Sequence, residues 1–421
     1  MYKFTIFLIN VKSLTTFQTL QLDSPSKTFY YISVKKQIIL KKNEEHRIVA
    51  GHQWVFSNEI ASLRGNPETG DVVELLRHDE KFLGLGFYHP HSLITFRFLT
   101  TEQEVISANF FERRIQQALV LRQKLYPGAE TFRLVHGEGD FLPGLVIDKY
   151  NEFISLQILS AGMEKRITLI CDVLESLFHP KAIVARNDAA IRALEELPIE
   201  KKVLRGNPSV TIIDDDGVKF EVDILQGQKT GFFLDQRENR KTVHRYAIGA
   251  AVLDCFCNEG GFALHAAAAQ AVSVRGMDIS ESAIAKAKVN ARLNSAAADF
   301  VIGDVLDALK QLGEDRKRFD VIILDPPSFT KSKKNIPAAL RGYKEINAAA
   351  MRILSPGGYL VSSSCSHHIT EDGFLSTIEQ AAVKAKRDIQ LLEFAGAAPD
   401  HPIIPAMPET KYLKFGIFAV R

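Results

Sequence analysis

The sequence predicts an α/β protein with three units in chain order: a small β-barrel, an α+β unit, and a parallel sheet covered by helices. Three observations predict this class. Short alternating apolar runs separated by turn residues extend from Gln37 to Leu99, helical periodicity begins at Glu104, and strand-like and helix-like segments alternate from Ala251 onwards. We therefore expect an extension over residues 1–33 and units over residues 34–102, 103–200 and 201–421.

The N-terminal extension is poorly specified by its sequence. Its apolar run, Phe4–Val11, is too short to span a bilayer, and no small-residue cleavage site follows it. We therefore expect neither secretion nor a membrane partner.

The first unit has the pattern of a small β-barrel. Turn-forming groups such as Asn66-Pro67-Glu68-Thr69-Gly70 separate strand-like runs, and helical periodicity is nearly absent. The predicted strands are Gln37–Leu40, Asp71–Leu76, Lys81–Tyr88 and Leu93–Leu99.

The second unit starts where the apolar period changes to 3.6. Apolar residues recur on one face of a predicted helix over Glu104–Tyr126, which Pro127-Gly128 ends. The further predicted elements are strands Phe141–Ile147, Phe153–Ile158 and Ile183–Ala185, and helices Glu164–Leu177 and Ala189–Leu197. Acidic loops between these elements favour a scaffold role.

The third unit follows a hairpin with the turn Asp214-Asp215-Asp216-Gly217 and then alternates strand and helix. Such alternation predicts a parallel sheet that binds ligands at the carboxyl ends of its strands. The predicted strands are Ala251–Cys255, Val272–Met277, Phe300–Ile302, Asp320–Leu324 and Tyr359–Ser364, and a final hairpin is expected from Gln390–Phe394 and Tyr412–Val420.

Composition limits the possible functions. The chain of 421 residues has 52 basic and 50 acidic side chains, a net charge of +2, so a nucleic-acid-binding surface must be a local patch. Four cysteines exclude a disulfide framework, and no Cys/His group has the spacing of a structural zinc site. We expect a protein of the cytoplasm with no bound metal.

Acidic residues follow successive strands of the predicted parallel sheet. A carboxylate after the second strand suits the hydroxyl groups of a ribose, and adjacent glycines after the first strand allow close approach of a ligand. Because a G-x-G-x-x-G phosphate loop is absent, we predict S-adenosylmethionine rather than a dinucleotide. The predicted cofactor-binding residues are Asp254, Phe256, Gly260, Gly261, Asp278, Ile279, Asp304, Val305 and Asp325. Taken singly, each aspartate is equally well explained as a helix cap.

A cysteine follows the fifth strand of the same sheet. Carbon 5 of a pyrimidine reacts only after a thiolate has added to carbon 6, whereas an exocyclic amine needs no nucleophile. Cys365 is the predicted nucleophile, and Asp325 of the Asp325-Pro326-Pro327 turn is the second predicted catalytic residue. Nearby basic groups, His367, His368 and Lys331, would favour the thiolate. A buried structural cysteine is the alternative.

Two basic stretches lie beside these motifs. A basic stretch is usually only a solvent-exposed face of the protein. Two such stretches beside a methyl-donor cleft instead favour binding of a polyanionic substrate. The predicted RNA-contacting residues are Lys229, Arg237, Arg240, Lys331, Lys333, Lys334 and Arg341.

Five motifs together resemble one known family. They are Gly51–Phe56, Leu142–Asp148, Lys229–Arg237, Asp325–Phe329 and Ser364–Ser366. In this order they are similar to bacterial 23S ribosomal RNA cytosine-5 methyltransferases with an amino-terminal PUA domain, and the match runs from about residue 34 to the carboxyl terminus. The resemblance implies a PUA RNA-binding module, an α+β connector, a class I (Rossmann-like) methyltransferase domain, 23S ribosomal RNA as substrate and Cys365 as nucleophile.

Two other functions stay open. One is an RNA methyltransferase acting on a guanine or an exocyclic amine, in which Cys365 is structural. The other is a non-catalytic RNA-binding factor in ribosome assembly, which would not need Asp278, Asp304 and Asp325. The oligomeric state is not fixed by the sequence, with a homodimer as one expectation.

Overall fold

The computed structural model describes residues 18–20, 30–32, 35–330 and 333–421. Near the amino terminus, β1 (Gln18–Leu20) and β2 (Tyr30–Ile32) pair antiparallel. The apolar run Phe4–Val11 and Lys331 lie outside the described residues.

Six strands form the sheet of the first unit, in the order β4-β8-β7-β6-β3-β5. The small β domain predicted here is confirmed, and its core includes Leu75 and Phe96. Its two short additional strands escaped prediction because β4 has three residues and most β5 side chains are exposed, so neither alternates clearly. The elements are β3 (Gln37–Leu40), α1 (His46–Val49), β4 (Trp54–Phe56), β5 (Ile60–Arg64), β6 (Val72–Leu76), β7 (Phe82–Tyr88) and β8 (Ile94–Thr100).

A five-stranded sheet in the order β13-β12-β11-β10-β9 forms the second unit. Strands β11 and β12 are parallel, and the other neighbouring pairs are antiparallel. The elements are α2 (Ala108–Leu125), β9 (Thr131–His136), β10 (Leu145–Tyr150), β11 (Phe153–Ile158), α3 (Ala161–Glu164), α4 (Ile167–Phe178), β12 (Ala182–Asn187) and β13 (Glu200–Gly206).

Two element predictions in this unit were wrong. The strand expected to begin at Phe141 begins at Leu145, because Phe141 has a left-handed backbone (φ 58°) and Pro143 has no N–H to donate. The helix expected over Ala189–Leu197 is a 3₁₀ helix over Ala190–Glu195.

The third unit is a seven-stranded sheet with helices between its strands. After the hairpin of β14 (Val210–Asp215) and β15 (Val218–Asp223), the elements are α5 (Arg237–Ala247), β16 (Ala251–Cys255), α6 (Gly261–Ala268), β17 (Ser273–Asp278), α7 (Glu281–Leu293), β18 (Asp299–Ile302), α8 (Val305–Glu314), β19 (Phe319–Leu324), α9 (Ile336–Ile353), β20 (Leu354–Ser364), α10 (Glu371–Ala385), β21 (Ile389–Ala395) and β22 (Lys414–Val420).

The strand order is β18-β17-β16-β19-β20-β22-β21. The first five strands are parallel, and β22 is antiparallel to both β20 and β21, which confirms the predicted final hairpin. Neighbouring residues of one strand, such as Val252 and Leu253, pack into two different cores, so the sheet is covered on both faces. Among the described residues, no helix has both the length and the hydropathy that crossing a bilayer requires.

A buried ion cluster fastens the β14–β15 hairpin to the large sheet. The carboxylate of Asp215 accepts hydrogen bonds from Nε of Arg237 (2.9 Å), Nε of Arg240 (2.7 Å) and Nε2 of His265 (3.1 Å). Burial opposes ionisation, but Arg240, His265 and Arg237 hold the pKa of Asp215 well below its usual range. The cluster therefore joins the hairpin to α5 and α6, because the buried carboxylate and the buried guanidinium groups stabilise each other's charge.

Removing Asp215 leaves two buried guanidinium groups without their counter-charge. We expect Asp215→Ala to lower the free energy of unfolding by about 3–5 kcal/mol in urea titrations followed by circular dichroism. Asp216→Ala is the matched control, because Asp216 is exposed and its ion pair with Lys241 is long (3.5 Å). Equal effects of the two substitutions would contradict this role of Asp215.

Candidate active site

A cavity of about 520 Å³ opens at the carboxyl ends of the parallel strands. Its wall combines the loops after β16, β17, β19 and β20 with the segments before α5 and β22. The predicted site residues that line it are Lys229, Arg240, Phe256, Gly261, Asp278, Ile279, Asp325 and Cys365. The topology thus brings together residues that are more than a hundred positions apart in the chain.

The loop after β16 reaches the cavity through residues with a left-handed backbone. Phe256 (φ 62°), Asn258 (φ 47°) and Gly260 (φ 88°) all adopt it. A side chain at Gly260 would also place its Cβ 3.0 Å from the ring of Phe300, so the position requires glycine. Gly261 then begins α6 and faces the cavity.

Asp254 is buried beneath the loop after β16 and does not line the cavity. It is 1% exposed, and its carboxylate accepts the amide of Ala263 (2.8 Å) in the first turn of α6. Its other oxygen finds no hydrogen-bond donor among the described residues, and burial raises its pKa well above the usual value. The structure therefore gives Asp254 a role in shaping the loop.

Asp278 forms the acidic rim of the cavity. Its two oxygens accept the amides of Asn258 (3.0 Å) and Ser280 (2.9 Å), which ties the loop after β16 to the loop after β17. Each oxygen keeps a lone pair for a ligand hydroxyl. Ile279 is 72% exposed beside it and offers an apolar surface. A rim carboxylate beside apolar side chains suits the ribose and adenine of S-adenosylmethionine.

Asp304 and Val305 do not line the cavity. Asp304 is exposed and caps α8 by accepting the amides of Leu306 (2.9 Å) and Asp307 (3.1 Å), and Val305 is buried in the core. The contacts of Asp304 are those of a helix cap, the alternative that its sequence position left open.

Asp325 lies between two polar side chains at the cavity wall. It accepts hydrogen bonds from Nε2 of Gln236 (3.0 Å) and from the hydroxyl of Ser363. Burial raises its pKa, although both hydrogen bonds oppose the shift. The carboxyl group is therefore fixed in orientation and holds a proton more readily than a free aspartic acid.

The turn that contains Cys365 is held on two sides by hydroxyl groups. Tyr343 of α9 accepts a hydrogen bond from the Ser364 hydroxyl (3.0 Å), and the hydroxyls of Ser328 and Ser366 are 2.9 Å apart. Burial and the charge of Asp325 raise the pKa of the Cys365 thiol, whereas Lys229 lowers it. The resting side chain is therefore a thiol, which must lose its proton before it can attack.

The basic neighbours predicted for Cys365 have different positions. His367 borders the cavity, and its ring lies 5.4 Å from that of Tyr412. Burial and the charge of Lys414 lower the pKa of His367, so this imidazole is neutral at pH 7 and can accept a proton. His368 is partly buried and is not among the residues that line the cavity.

An ion pair that the sequence analysis did not predict forms another part of the wall. Asp235 is 3% exposed and accepts hydrogen bonds from Nζ of Lys229 (2.8 Å) and the hydroxyl of Tyr412 (2.6 Å). Lys229 also lies 4.3 Å from the centre of the Phe233 ring. Asp235 lies within the motif Lys229–Arg237, but the sequence analysis assigned it no role.

The positions of Arg237 and Arg240 do not support the predicted RNA contact. Their side chains are 4% and 2% exposed and pair with Asp215, although Arg240 also lines the cavity. Lys334 and Arg341 are exposed after the Asp-Pro-Pro turn, as a phosphate contact requires. Lys333 begins the 3₁₀ turn Lys333–Asn335.

Comparisons with protein families divide the chain in the same order. Residues 38–101 match the PUA-like domain, and residues 186–415 match the S-adenosylmethionine-dependent methyltransferase family. The second match covers more than half of the chain. The cofactor predicted from the acidic residues, S-adenosylmethionine, is thereby confirmed.

Several curated relatives match along almost their whole length. Ribosomal RNA large subunit methyltransferase I of Klebsiella pneumoniae (strain 342) is 39% identical over 390 residues, which cover 91% of this chain and 98% of the relative. The protein of the same name from Shewanella frigidimarina is 41% identical over 387 residues, covering 90% and 98%.

Solved structures share the fold at lower identity. A Streptococcus mutans structure described as a SAM-dependent methyltransferase has a TM-score of 0.78 at 21% identity and covers 91% of this chain and 99% of its own. A methyltransferase structure complexed with SAH has a TM-score of 0.79, also at 21% identity and with the same coverage. On the family match and the identity to the curated relatives, the chain belongs to the S-adenosylmethionine-dependent methyltransferases, in the family of the ribosomal RNA large subunit methyltransferase I proteins.

Proposed function

We propose that the protein methylates carbon 5 of a cytosine in 23S ribosomal RNA through a covalent adduct with Cys365. The names of the curated relatives support large-subunit ribosomal RNA as the substrate. The single observation that supports the reaction is the shared cavity, whose wall contains Asp278, Asp325 and Cys365. A carboxylate rim, an enclosed carboxyl group and a thiol are the groups that this reaction needs.

The Cys365 thiol is needed because carbon 5 of cytosine does not attack a methyl donor unaided. Carbon 5 of cytosine is a poor nucleophile because the ring nitrogens withdraw electrons from it. Addition of the Cys365 thiolate to carbon 6 breaks the C5–C6 double bond and moves its electron pair to carbon 5. S-adenosylmethionine supplies the electrophilic methyl group that this carbon accepts. Loss of the carbon 5 proton then restores the double bond as the carbon–sulfur bond breaks and the thiolate leaves.

Asp325 is suited to recognise the cytosine ring. In its protonated form, which burial favours by raising the pKa, the carboxyl group can donate to ring N3 and accept from the exocyclic N4 amine. Uracil has a donor at N3 and an acceptor at position 4, so the same group disfavours it. A proton at N3 also offsets the negative charge that thiolate addition brings to the ring. Gln236 and Ser363 hold the carboxyl group in place for this contact.

The cofactor contacts are assigned to the loops at the rim. Asp278 would accept hydrogen bonds from ribose hydroxyls, with Ile279 and Phe256 packing on apolar surface and Gly261 allowing close approach. Gly260 and Asp254 would act indirectly, since they shape the same loop. Asp304 and Val305, although predicted from the sequence, have no support from their positions.

The RNA backbone would be held by exposed cations beside the cavity. Lys334 and Arg341 are exposed, and Lys229 lines the cavity itself. Such contacts bind phosphates without reading sequence, so the target nucleotide must be chosen by other features. The PUA-like domain would supply a second RNA-binding surface.

The covalent step is tested with a cytosine analogue from which the Cys365 thiolate cannot be eliminated after methyl transfer. With 5-fluorocytosine in a 23S transcript and S-adenosylmethionine present, we expect a protein–RNA complex that survives denaturing electrophoresis, because fluorine cannot leave carbon 5 as a proton does. Cys365→Ala should form no complex and lose methylation by about 10³-fold or more.

Cys257→Ala is the matched control for that experiment, because Cys257 also lines the cavity. It should still form the complex. A complex with Cys365→Ala, or methylation retained in Cys365→Ser, would contradict the assignment and favour a structural cysteine.

The rim carboxylate is tested by calorimetry with S-adenosylmethionine. Asp278→Ala removes charged acceptors for the ribose, so we expect the Kd to rise about 10- to 100-fold. Asp299→Ala is the control, since Asp299 is exposed at the opposite, amino end of β18 and pairs only weakly with Arg275 (3.2 Å). An unchanged Kd in Asp278→Ala would remove this residue from the cofactor site.

A further inference from the structure

Lys414 is a buried lysine next to the turn that contains Cys365. It is 3% exposed, and its Nζ donates hydrogen bonds to the backbone carbonyls of Ser366 (2.7 Å) and Tyr412 (2.7 Å). Lysine is almost never fully buried unless its charge is paired, and neither partner here is a carboxylate. The burial of this ammonium group therefore needs an explanation other than an ordinary ion pair.

The register of the sheet explains how Lys414 reaches the turn. Lys414 begins β22, and its Cα lies opposite that of Ser364, the last residue of β20. Ser366 follows Cys365 directly, so the hydrogen bond to its carbonyl holds the turn on the β22 side. The hydroxyls of Ser328 and Tyr343 hold the other side. Removal of Lys414 would free this side of the turn.

The titratable groups that face Lys414 come from three segments of the chain. Cys365 follows β20, Glu371 begins α10, and Lys411 precedes β22 and pairs with Glu371 (2.7 Å). Burial lowers the pKa of Lys414 to about 8, Cys365 and Glu371 oppose that shift, and Lys411 adds to it. His367 also faces it, and its own pKa is lowered by Lys414.

We propose that Lys414 is a positioning residue for the nucleophile: its ammonium group holds the Cys365 turn and stabilises the Cys365 thiolate. Electrostatic coupling is reciprocal, so a thiolate that favours the charged amine is itself favoured by it. At pH 7 the amine is charged and adds to the positive charge of Lys229, whereas His367 is neutral. The inference rests on the proposed function, in which Cys365 is the nucleophile.

The thiolate can be measured without methylation. The rate at which iodoacetamide alkylates Cys365 at pH 6.5, followed by mass spectrometry of its peptide, reports the thiolate fraction at a pH where Lys414 is charged. We expect Lys414→Met to slow this alkylation by about tenfold. Lys414→Arg keeps the charge and should restore most of the rate.

Lys411→Met is the matched control. The Lys411 side chain is 43% exposed and pairs with Glu371 rather than with the Cys365 turn. The alkylation rate of Lys411→Met should stay within about twofold of the wild-type rate. S-adenosylmethionine calorimetry on each variant checks that the cavity is intact.

A wild-type alkylation rate at pH 6.5 in a Lys414→Met protein that still binds S-adenosylmethionine would overturn the proposal. If Lys414→Met fails to fold, Lys414→Arg decides: a rate close to the wild-type value supports the proposal, and a rate about tenfold lower overturns it. A slowed rate in Lys414→Met together with no 5-fluorocytosine complex in the wild-type protein would reject the proposed function but keep the coupling. A 5-fluorocytosine complex in the wild-type protein together with an unchanged rate in Lys414→Met would support the proposed function and reject the coupling.

Discussion

The parallel alignment of five neighbouring strands is the constraint on which the site depends. Because β18, β17, β16, β19 and β20 run in one direction, their carboxyl ends meet at one edge. The chain can therefore place Asp278, Asp325 and Cys365 around one cavity although each lies at the carboxyl end of a different strand. Hydrogen bonds between loops then fix the arrangement, such as those from Asn258 to Asp278 and from Ser363 to Asp325.

Buried polar contacts connect this sheet to the second unit. Arg133 of β9 pairs with Asp148 of β10, and the Thr230 hydroxyl donates to that carboxylate. Asp400 accepts the amide of Arg133, and its carbonyl accepts a hydrogen bond from the buried Arg122. These contacts hold the segments before α5 and β22, which contribute Lys229 and Tyr412 to the cavity wall. The connector is thus part of what shapes the site.

Much of the fold and part of the site could be predicted from the sequence, because both follow local patterns. The alternation of strand and helix predicted the parallel sheet. Asp278, Asp325 and Cys365 could be predicted as site residues because they come directly after predicted strands. Charge patterns were less reliable, since Arg237 and Arg240 look like an exposed basic stretch but pair with Asp215, which lies in another element. Gln236 and Lys414 escaped prediction because their roles depend on contacts across 89 and 48 positions of the chain.

The central claim is that Cys365 attacks a cytosine of 23S ribosomal RNA. The most direct test is mass spectrometry of nucleosides from an unmodified 23S transcript incubated with methyl-labelled S-adenosylmethionine and either the wild-type protein or Cys365→Ala. The account predicts labelled 5-methylcytosine with the wild-type protein and none with the variant. Label in a guanosine or an exocyclic amine, or labelled 5-methylcytosine from Cys365→Ala, would contradict it.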